Sequence, residues 1–244
     1  MKQHAYNEMA ATEDNHWWYS GRRTIIRSIL KLLHMPSDAH ILEIGAGTGG
    51  NLRMLSQFGQ VEAIEKNDYA LTVALSKTGH AIAVKSGELP NNLPCEPQSY
   101  DLVCLFDVLE HIEKDLESLI AASKTLKANG MLLVTVPAFQ WLWSQHDINL
   151  HHKRRYSADD IRKLADQANL KISKLSYFNV LLFPVALASR ILSRIIDKDE
   201  LIGTSEPPRY VNSLLKSIFG CEALILKHIN FPFGLSIIAV LSHR

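Results

Sequence analysis

The chain has 244 residues, 47% hydrophobic and 21% charged. This is the composition of a folded globular protein and excludes collagen-like, low-complexity and wholly disordered readings. Lys and Arg total 26 against 25 Asp and Glu, a net charge of +1, so no global field draws the chain onto nucleic acid, and no nucleic-acid partner is expected. Cys95, Cys104 and Cys221 are far apart and odd in number, which gives no disulfide framework and no CxxC metal pair and makes a cytoplasmic location the expectation. Residues 1–15 are polar and acidic rather than signal-like. No apolar run reaches the roughly 20 residues that span a bilayer.

In chain order, residues 1–39 read as a helical lead-in, with an apolar stripe of Ile25, Ile26, Ile29, Leu30 and Leu33 at helical spacing. The pattern then changes to short apolar runs alternating with helical stretches. Strands are expected at 41–44, 61–64, 81–84, 102–106 and 131–136. Helices are expected from about 51, over 68–77 and over 116–126, the last closed by Asn129-Gly130. Strands this apolar are buried on both faces, so alternation with helices predicts a parallel sheet wrapped on both sides. Ser157 is read as the N-cap of a helix over 157–168, with Asp159 and Asp160 in its first turn. Strands six and seven are expected at 171–177 and 235–241. About fifty residues with two helices, 181–197 and 211–227, are inserted between them.

The strongest signal is Glu43-Ile44-Gly45-Ala46-Gly47-Thr48-Gly49-Gly50, at a strand-to-helix turn. Glycines there let the backbone turn tightly and approach a ligand. Gly45, Gly47 and Gly50 satisfy GxGxxG, which nicotinamide and flavin folds also use. Glu43 discriminates, since a carboxylate in that turn repels a pyrophosphate and suits a ligand with a cationic amino group. Glu65, at the end of the second strand, suits both hydroxyls of a ribose, which fits a nicotinamide dinucleotide equally well.

These motifs, together with Phe106-Asp107-Val108-Leu109-Glu110-His111-Ile112 after the fourth strand, resemble class I S-adenosylmethionine-dependent methyltransferases over about residues 40–137. The stretches 16–23 and 135–156 resemble a bacterial subgroup of the small-molecule type and extend the likeness to most of the chain. The resemblance implies an α/β, Rossmann-like, doubly wound seven-stranded sheet, mostly parallel, with an antiparallel last strand, an N-terminal helical lid and a helical insertion before that strand. The corresponding units are a lid at 1–39, a core at 40–178, a cap at 179–230 and a last core strand at 231–244. S-adenosylmethionine is the implied cofactor. Gly45, Ala46, Gly47 and Gly49 would lie against its methionine part, and Glu43 would hold the loop or the amino group. Glu65 would take the ribose hydroxyls, Lys66, Glu88 and Leu89 would edge the adenine, and Asp107 and Val108 would line the sulfonium side. Trp18 and Arg22 would close over the cofactor, with Arg22 on its carboxylate, or else belong to a hydrophobic plug that packs the first helix on the sheet.

Methyl transfer is an in-line displacement, so the protein chiefly aligns donor and acceptor and excludes water. A base is needed only when the acceptor must lose a proton. If a helix starts near Asp107, positions 107 and 111 share a face, which makes His111 a catalytic candidate. Its bland alternative is a structural role at the helix start; Asp107, Glu110 and His111 could also ligate a divalent metal, as in some catechol methylases, but no further carboxylate is obviously paired with them and no metal centre is expected. His152 and Tyr156 are further catalytic candidates. Trp143, His146, Arg154 and Arg155 are substrate candidates, in a basic stretch at the carboxyl edge of the sheet that suits an anionic acceptor. The alternative is a solvated loop whose basic residues pair with acids elsewhere. The wide apolar face of 181–197 needs a partner, which is the core, a lipid-linked acceptor or peripheral membrane surface, or a second copy in a homodimer. The reading is methyl transfer to oxygen or carbon of a small-molecule or lipid-linked acceptor. The rivals are an NAD-dependent oxidoreductase and a cofactor-binding protein without catalysis.

Overall fold

The computed structural model describes residues 3–188 and 206–244. The elements in chain order are α1 (Gln3–Thr12), α2 (Trp17–Leu30), β1 (His40–Ile44), α3 (Leu52–Leu55), β2 (Gln60–Glu65), α4 (Asp68–Lys77), β3 (Ala83–Ser86), β4 (Tyr100–Phe106), α5 (Asp115–Ser123), β5 (Leu126–Pro137), α6 (Gln145–Asn149), α7 (Ala158–Gln167), β6 (Leu170–Phe178), α8 (Arg209–Leu226) and β7 (Ser236–His243). The seven strands form one sheet in the order β3-β2-β1-β4-β5-β7-β6. The first five pair in parallel, while β7 runs antiparallel to both β5 and β6. This is the mostly parallel sheet with an inserted antiparallel last strand that the alternating pattern and the resemblance predict.

Each face of the sheet carries its own core. One packs Ile25, Ile26 and Ile29 of α2 and Phe219 of α8 against Leu133 and Ile238. The other packs Leu119 of α5 and Ile161 and Leu164 of α7 against Leu132 and Leu241. The stripe read in the sequence is thus the buried face of α2, where Ile25, Ile26 and Ile29 are fully buried. Each such side chain contributes about 1.5–3 kcal/mol on removal from water. Phe219 stacks on Phe178 with ring centroids 6.1 Å apart. It also lies so close to Gly21 that a Cβ there would meet its ring at 2.5 Å, so α2 and α8 approach through a glycine.

Several local expectations are corrected. The helix expected over 116–126 ends at Ser123, and Asn129-Gly130 lies inside β5 rather than capping a helix. Gly130 is needed there because a Cβ would stand 2.8 Å from the Tyr100 carbonyl oxygen, beside a shift in the β4–β5 register. The third strand sits at 83–86 rather than 81–84, the seventh at 236–243, and α3 is a single turn. No helix starts at Asp107. That residue has φ +56°, and a short 3₁₀ turn at Leu109–His111 follows it. Trp17 and Trp18 form the first turn of α2. The Ser157 cap holds, with its side chain accepting from Asp160 N–H and Asp160 accepting from Ser157 N–H at 2.8 Å. Of the helix expected over 181–197, residues 183–188 are helical, 181 and 182 form a turn ahead of them, and 189–197 lie outside the described residues. Glu222 of α8 accepts the backbone N–H groups of Asn179, Val180 and Leu181 at 2.7–2.8 Å. Among the described residues no helix is long and apolar enough to cross a membrane.

Candidate active site

The carboxyl ends of β1, β2 and β4 bring together most of the residues singled out in the first half of the chain. At the end of β1 the chain turns through Gly45 (φ +78°), Gly47 (φ +57°) and Gly49 (φ +85°), a backbone that side chains with a Cβ rarely adopt. A Cβ on Gly45 would also stand 2.6 Å from Val108, so the loop and the β4 exit touch. The Gly45 and Ala46 N–H groups bond the Ile64 carbonyl at 2.8 and 3.1 Å. Glu65 accepts from Gly47 N–H at 2.8 Å and from Asn67 N–H at 2.9 Å. Each of its oxygens keeps a lone pair for a further donor.

Glu43 is buried. One of its oxygens accepts from the Asn51 amide at 2.8 Å, and the other, Oε2, has no partner among the described residues. Burial pushes its pKa up to about 8, opposed by the Asn51 hydrogen bond. A buried carboxylate oxygen left open calls for a donor, and a cationic amino group would supply it. Beside β2 and β3 lies a cavity of about 330 Å³, lined by Tyr6, Lys66, Asn67, Gly87 and Glu88 among others. Lys66 and Glu88 form an exposed ion pair at 3.5 Å across it, and Leu89 is buried beneath. The residues therefore fit a ligand with an ammonium group at one end, a diol in the middle and a flat ring at the other.

α2 brings Trp18 and Arg22 to the other side of the site. Arg22 is buried and pairs with Asp107 at 3.0 Å. It also donates to Thr135 Oγ1 at 3.1 Å, which in turn donates to Asp107 at 3.0 Å. The guanidinium lies 5.0 Å from the centre of the Trp18 ring. Arg22 thus braces Asp107 through one of its nitrogens, while its Nε is buried with no hydrogen-bond partner among the described residues. α1 lies in the expected helical lead-in, but none of its residues was singled out, for its composition is polar and its period weak. Met9 packs over Gly47, and Glu13 packs over Gly50. The Glu13 carboxylate accepts from Thr48 Oγ1 at 2.7 Å and pairs with Lys77. Thr135, Tyr6 and Glu13 carry no pattern that would have marked them.

The basic stretch after β5 is largely neutralised from within. Arg155 is buried and grips both oxygens of the fully buried Asp147 at 2.7 and 2.8 Å. His152 Nδ1 meets the same carboxylate at 2.8 Å. Burial pushes Asp147 up, but the hydrogen bonds from His152 and Arg155 outweigh it and hold its pKa well below the usual carboxylate range. Arg154 pairs with Glu113 and Asp115 at 3.2 and 2.8 Å. Tyr156 is buried and donates to Asp115 at 3.0 Å. Burial first, and then the Asp115 charge, push its pKa far up. For Arg154 and Arg155 the contacts are those of the alternative reading, basic residues paired with acids, and the Tyr156 hydroxyl is engaged with Asp115. Trp143 and His146 are half-buried on the same loop.

His111 and His152 meet edge to face, with ring centroids 4.7 Å apart. Burial, and then His152, push the His111 pKa down to about 3, so its imidazole is neutral at pH 7. Glu110 is fully buried, and neither carboxylate oxygen has a partner among the described residues. Burial, and then the charge of Asp107, push its pKa well up. No metal centre was expected from the sequence, yet one ligand atom each of Glu110, His111 and His152 lie within 4.8 Å of one another.

A parallel sheet ordered 3-2-1-4-5-7-6, a glycine turn after β1 and acids closing β1 and β2 define a class I S-adenosylmethionine-dependent methyltransferase. The family comparison agrees. Residues 17–175 match the methyltransferase domain family, and the chain belongs to it, which decides against the nicotinamide reading. A protein of Mycolicibacterium smegmatis named as a probable S-adenosylmethionine-dependent methyltransferase is 22% identical over 162 residues, 66% of this chain. The match spans 61% of that relative's length. The protein bound to the Trm112 methyltransferase activator in a Haloferax volcanii complex superposes with a TM-score of 0.63 at 17% identity, over 98% of this chain and 96% of its own. A Haemonchus contortus phosphoethanolamine N-methyltransferase, solved with phosphomonomethylethanolamine and S-adenosylhomocysteine, gives 0.59 at 17% identity, over 90% of this chain and 52% of its own. At these identities the structures speak for the fold alone.

Proposed function

We propose that the protein transfers the methyl group of S-adenosylmethionine to oxygen or carbon of a small-molecule or lipid-linked acceptor. The observation that carries this reading is the buried, open Oε2 of Glu43 beside the glycine turn, facing the same site as Glu65. The cofactor supplies an electrophilic methyl group on a sulfonium, and displacement leaves a neutral thioether. In this reading Glu43 holds the ammonium and Gly45, Ala46, Gly47 and Gly49 let the chain approach the methionine part. Glu65 holds the ribose, and Lys66, Glu88 and Leu89 edge the adenine. Asp107, kept in place by Arg22 and Thr135, sits beside Val108 on the sulfonium side, with Trp18 over Arg22.

The acceptor would enter between the 139–156 loop, with Trp143, His146 and Arg154, and residues 179–188. An aromatic cluster there supports an apolar acceptor. Trp141 stacks on Phe139 at 5.6 Å, and Phe183 meets Phe233 at 5.6 Å. Leu181 and Val185 are exposed beside it. His111, edge to face with His152 at 4.7 Å, would line the acceptor side in this reading, where it would orient the acceptor rather than act as a base, since burial holds its pKa at about 3.

Binding calorimetry tests the cofactor assignment. S-adenosylmethionine and S-adenosylhomocysteine should bind with one site, and NAD should not. Glu65→Ala should weaken both by roughly 10–100-fold, the loss of charge-assisted bonds of about 1.5–3 kcal/mol. Unchanged affinity in that variant would remove the ribose assignment. Radiolabelled methyl transfer to a panel of hydroxylated and lipid-linked compounds reads the acceptor, and a transferred label found only on nitrogen would overturn the oxygen-or-carbon reading.

A further inference from the structure

We propose that Glu110, His111 and His152 form a binding site for a divalent transition-metal cation of the Zn²⁺ type at the acceptor side of Asp107. Ligand atoms of the three residues lie within 4.8 Å of one another. A cation about 2.0–2.2 Å from each donor needs them to draw together by roughly an ångström, within the reach of side-chain rotation. Two imidazoles and a carboxylate are the donor set such ions favour.

Three features argue for a built site rather than a chance cluster. Glu110 is wholly buried and both of its carboxylate oxygens lack a partner among the described residues. A carboxylate in that setting is costly unless something is paired with it. Next, Asp147 holds His152 by Nδ1 at 2.8 Å, which leaves Nε2 to point toward the cation. A carboxylate behind a ligating histidine is how metal sites fix ring orientation. Last, the two chain segments are tied together before any ion arrives, because Lys153 N–H bonds the Glu110 carbonyl at 2.6 Å. Three protein ligands leave a coordination position open, the arrangement of sites that hold an exogenous oxygen. This chemical role rests on the methyltransferase reading: an acceptor hydroxyl bound there would release its proton to solvent more readily. The existence of the site does not rest on it.

The test is titration of the chelator-treated full chain with Co²⁺ and with Zn²⁺, without S-adenosylmethionine, so that failure here is distinct from failure to bind cofactor. One equivalent of Co²⁺ should give the strong visible absorption of a low-coordinate ion, displaced by Zn²⁺. Loss of a partner behind a ligand weakens metal sites by about 10–100-fold, so His111→Ala and His152→Ala, which remove ligands, should lose at least that much. His228→Ala, exposed and far along the chain, should bind as the parent. Glu110→Gln keeps the side-chain volume, and it should lose the absorption while melting, metal-free, no lower than the parent. The proposal fails if no equivalent of Co²⁺ binds, or if Glu110→Gln binds as the parent. It also fails if Glu110→Gln melts well below the metal-free parent, since the carboxylate would then be structural.

Discussion

The two halves of the carboxyl edge treat charge in opposite ways. Around β1 and β2 the acids keep unused capacity. Among the described residues Glu43 has an open oxygen and Glu65 is bonded only by backbone N–H groups. After β5 the charges close on one another. Arg155 and His152 share Asp147, while Arg154 and Tyr156 share Asp115. The first half leaves carboxylate oxygens with room for a further donor. The second is a braced wall, whose basic residues read in sequence as an anion grip or as a loop paired with acids, and are paired with acids in the fold.

Breaking the wall should have the largest effect. Arg155→Ala leaves the fully buried Asp147 without its main partner, and loss of one member of such a pair costs about 3–5 kcal/mol. Chemical denaturation should show that loss as a lower midpoint. A variant as stable as the parent that has lost only acceptor binding would restore Arg155 as a substrate residue.

The open side should respond in the reverse sense. Glu43 has a folded pKa of about 8 against an ordinary 4.5. The folded state therefore holds a proton that the unfolded state releases between those values. Its contribution makes stability fall as pH rises from 4.5 to 8. Glu43→Gln removes that slope and should stabilise the ligand-free protein near pH 8 by about 1–3 kcal/mol. Unfolding curves at several pH values check this, and equal slopes in both proteins would mean that Glu43 is already paired.

The smallest effect sharpens the contrast. Tyr156→Phe deletes one hydrogen bond, to an Asp115 that Arg154 still holds. Stability should drop by about 1 kcal/mol, with kcat unchanged. A large fall in kcat at constant stability would return Tyr156 to the catalytic group.

Much of the cofactor half was legible because its signals are local. A glycine turn after an apolar strand, preceded by Glu43 and followed by Glu65 at the next strand end, is specified within about twenty-five residues of chain, and backbone sterics dictate the loop that results. The half after β5 left alternatives open where pairing partners are remote. Nothing local joins Arg155 to Asp147 rather than to a ligand, and Arg22 lies far from Asp107 in sequence. Asn129-Gly130 was misplaced for a related reason. A glycine that ends helices also permits close approach to a neighbouring strand, and only the Tyr100 carbonyl shows which use applies.

The sequence by itself determined the alternation of strands and helices, the buried stripe of α2, the Ser157 cap and the glycine loop between two acids. Each follows from the period of apolar residues or from the dihedral freedom of single residues, which act over a few positions. The tertiary structure alone decided which charges are satisfied and which stay open: Arg22 on Asp107, Arg155 on Asp147, Glu43 with a free oxygen, and Glu110 beside two histidines, one of them from a distant loop. Those outcomes depend on distances of a few ångströms between segments far apart in the chain, and electrostatic pairing in a low-dielectric interior is set by such distances.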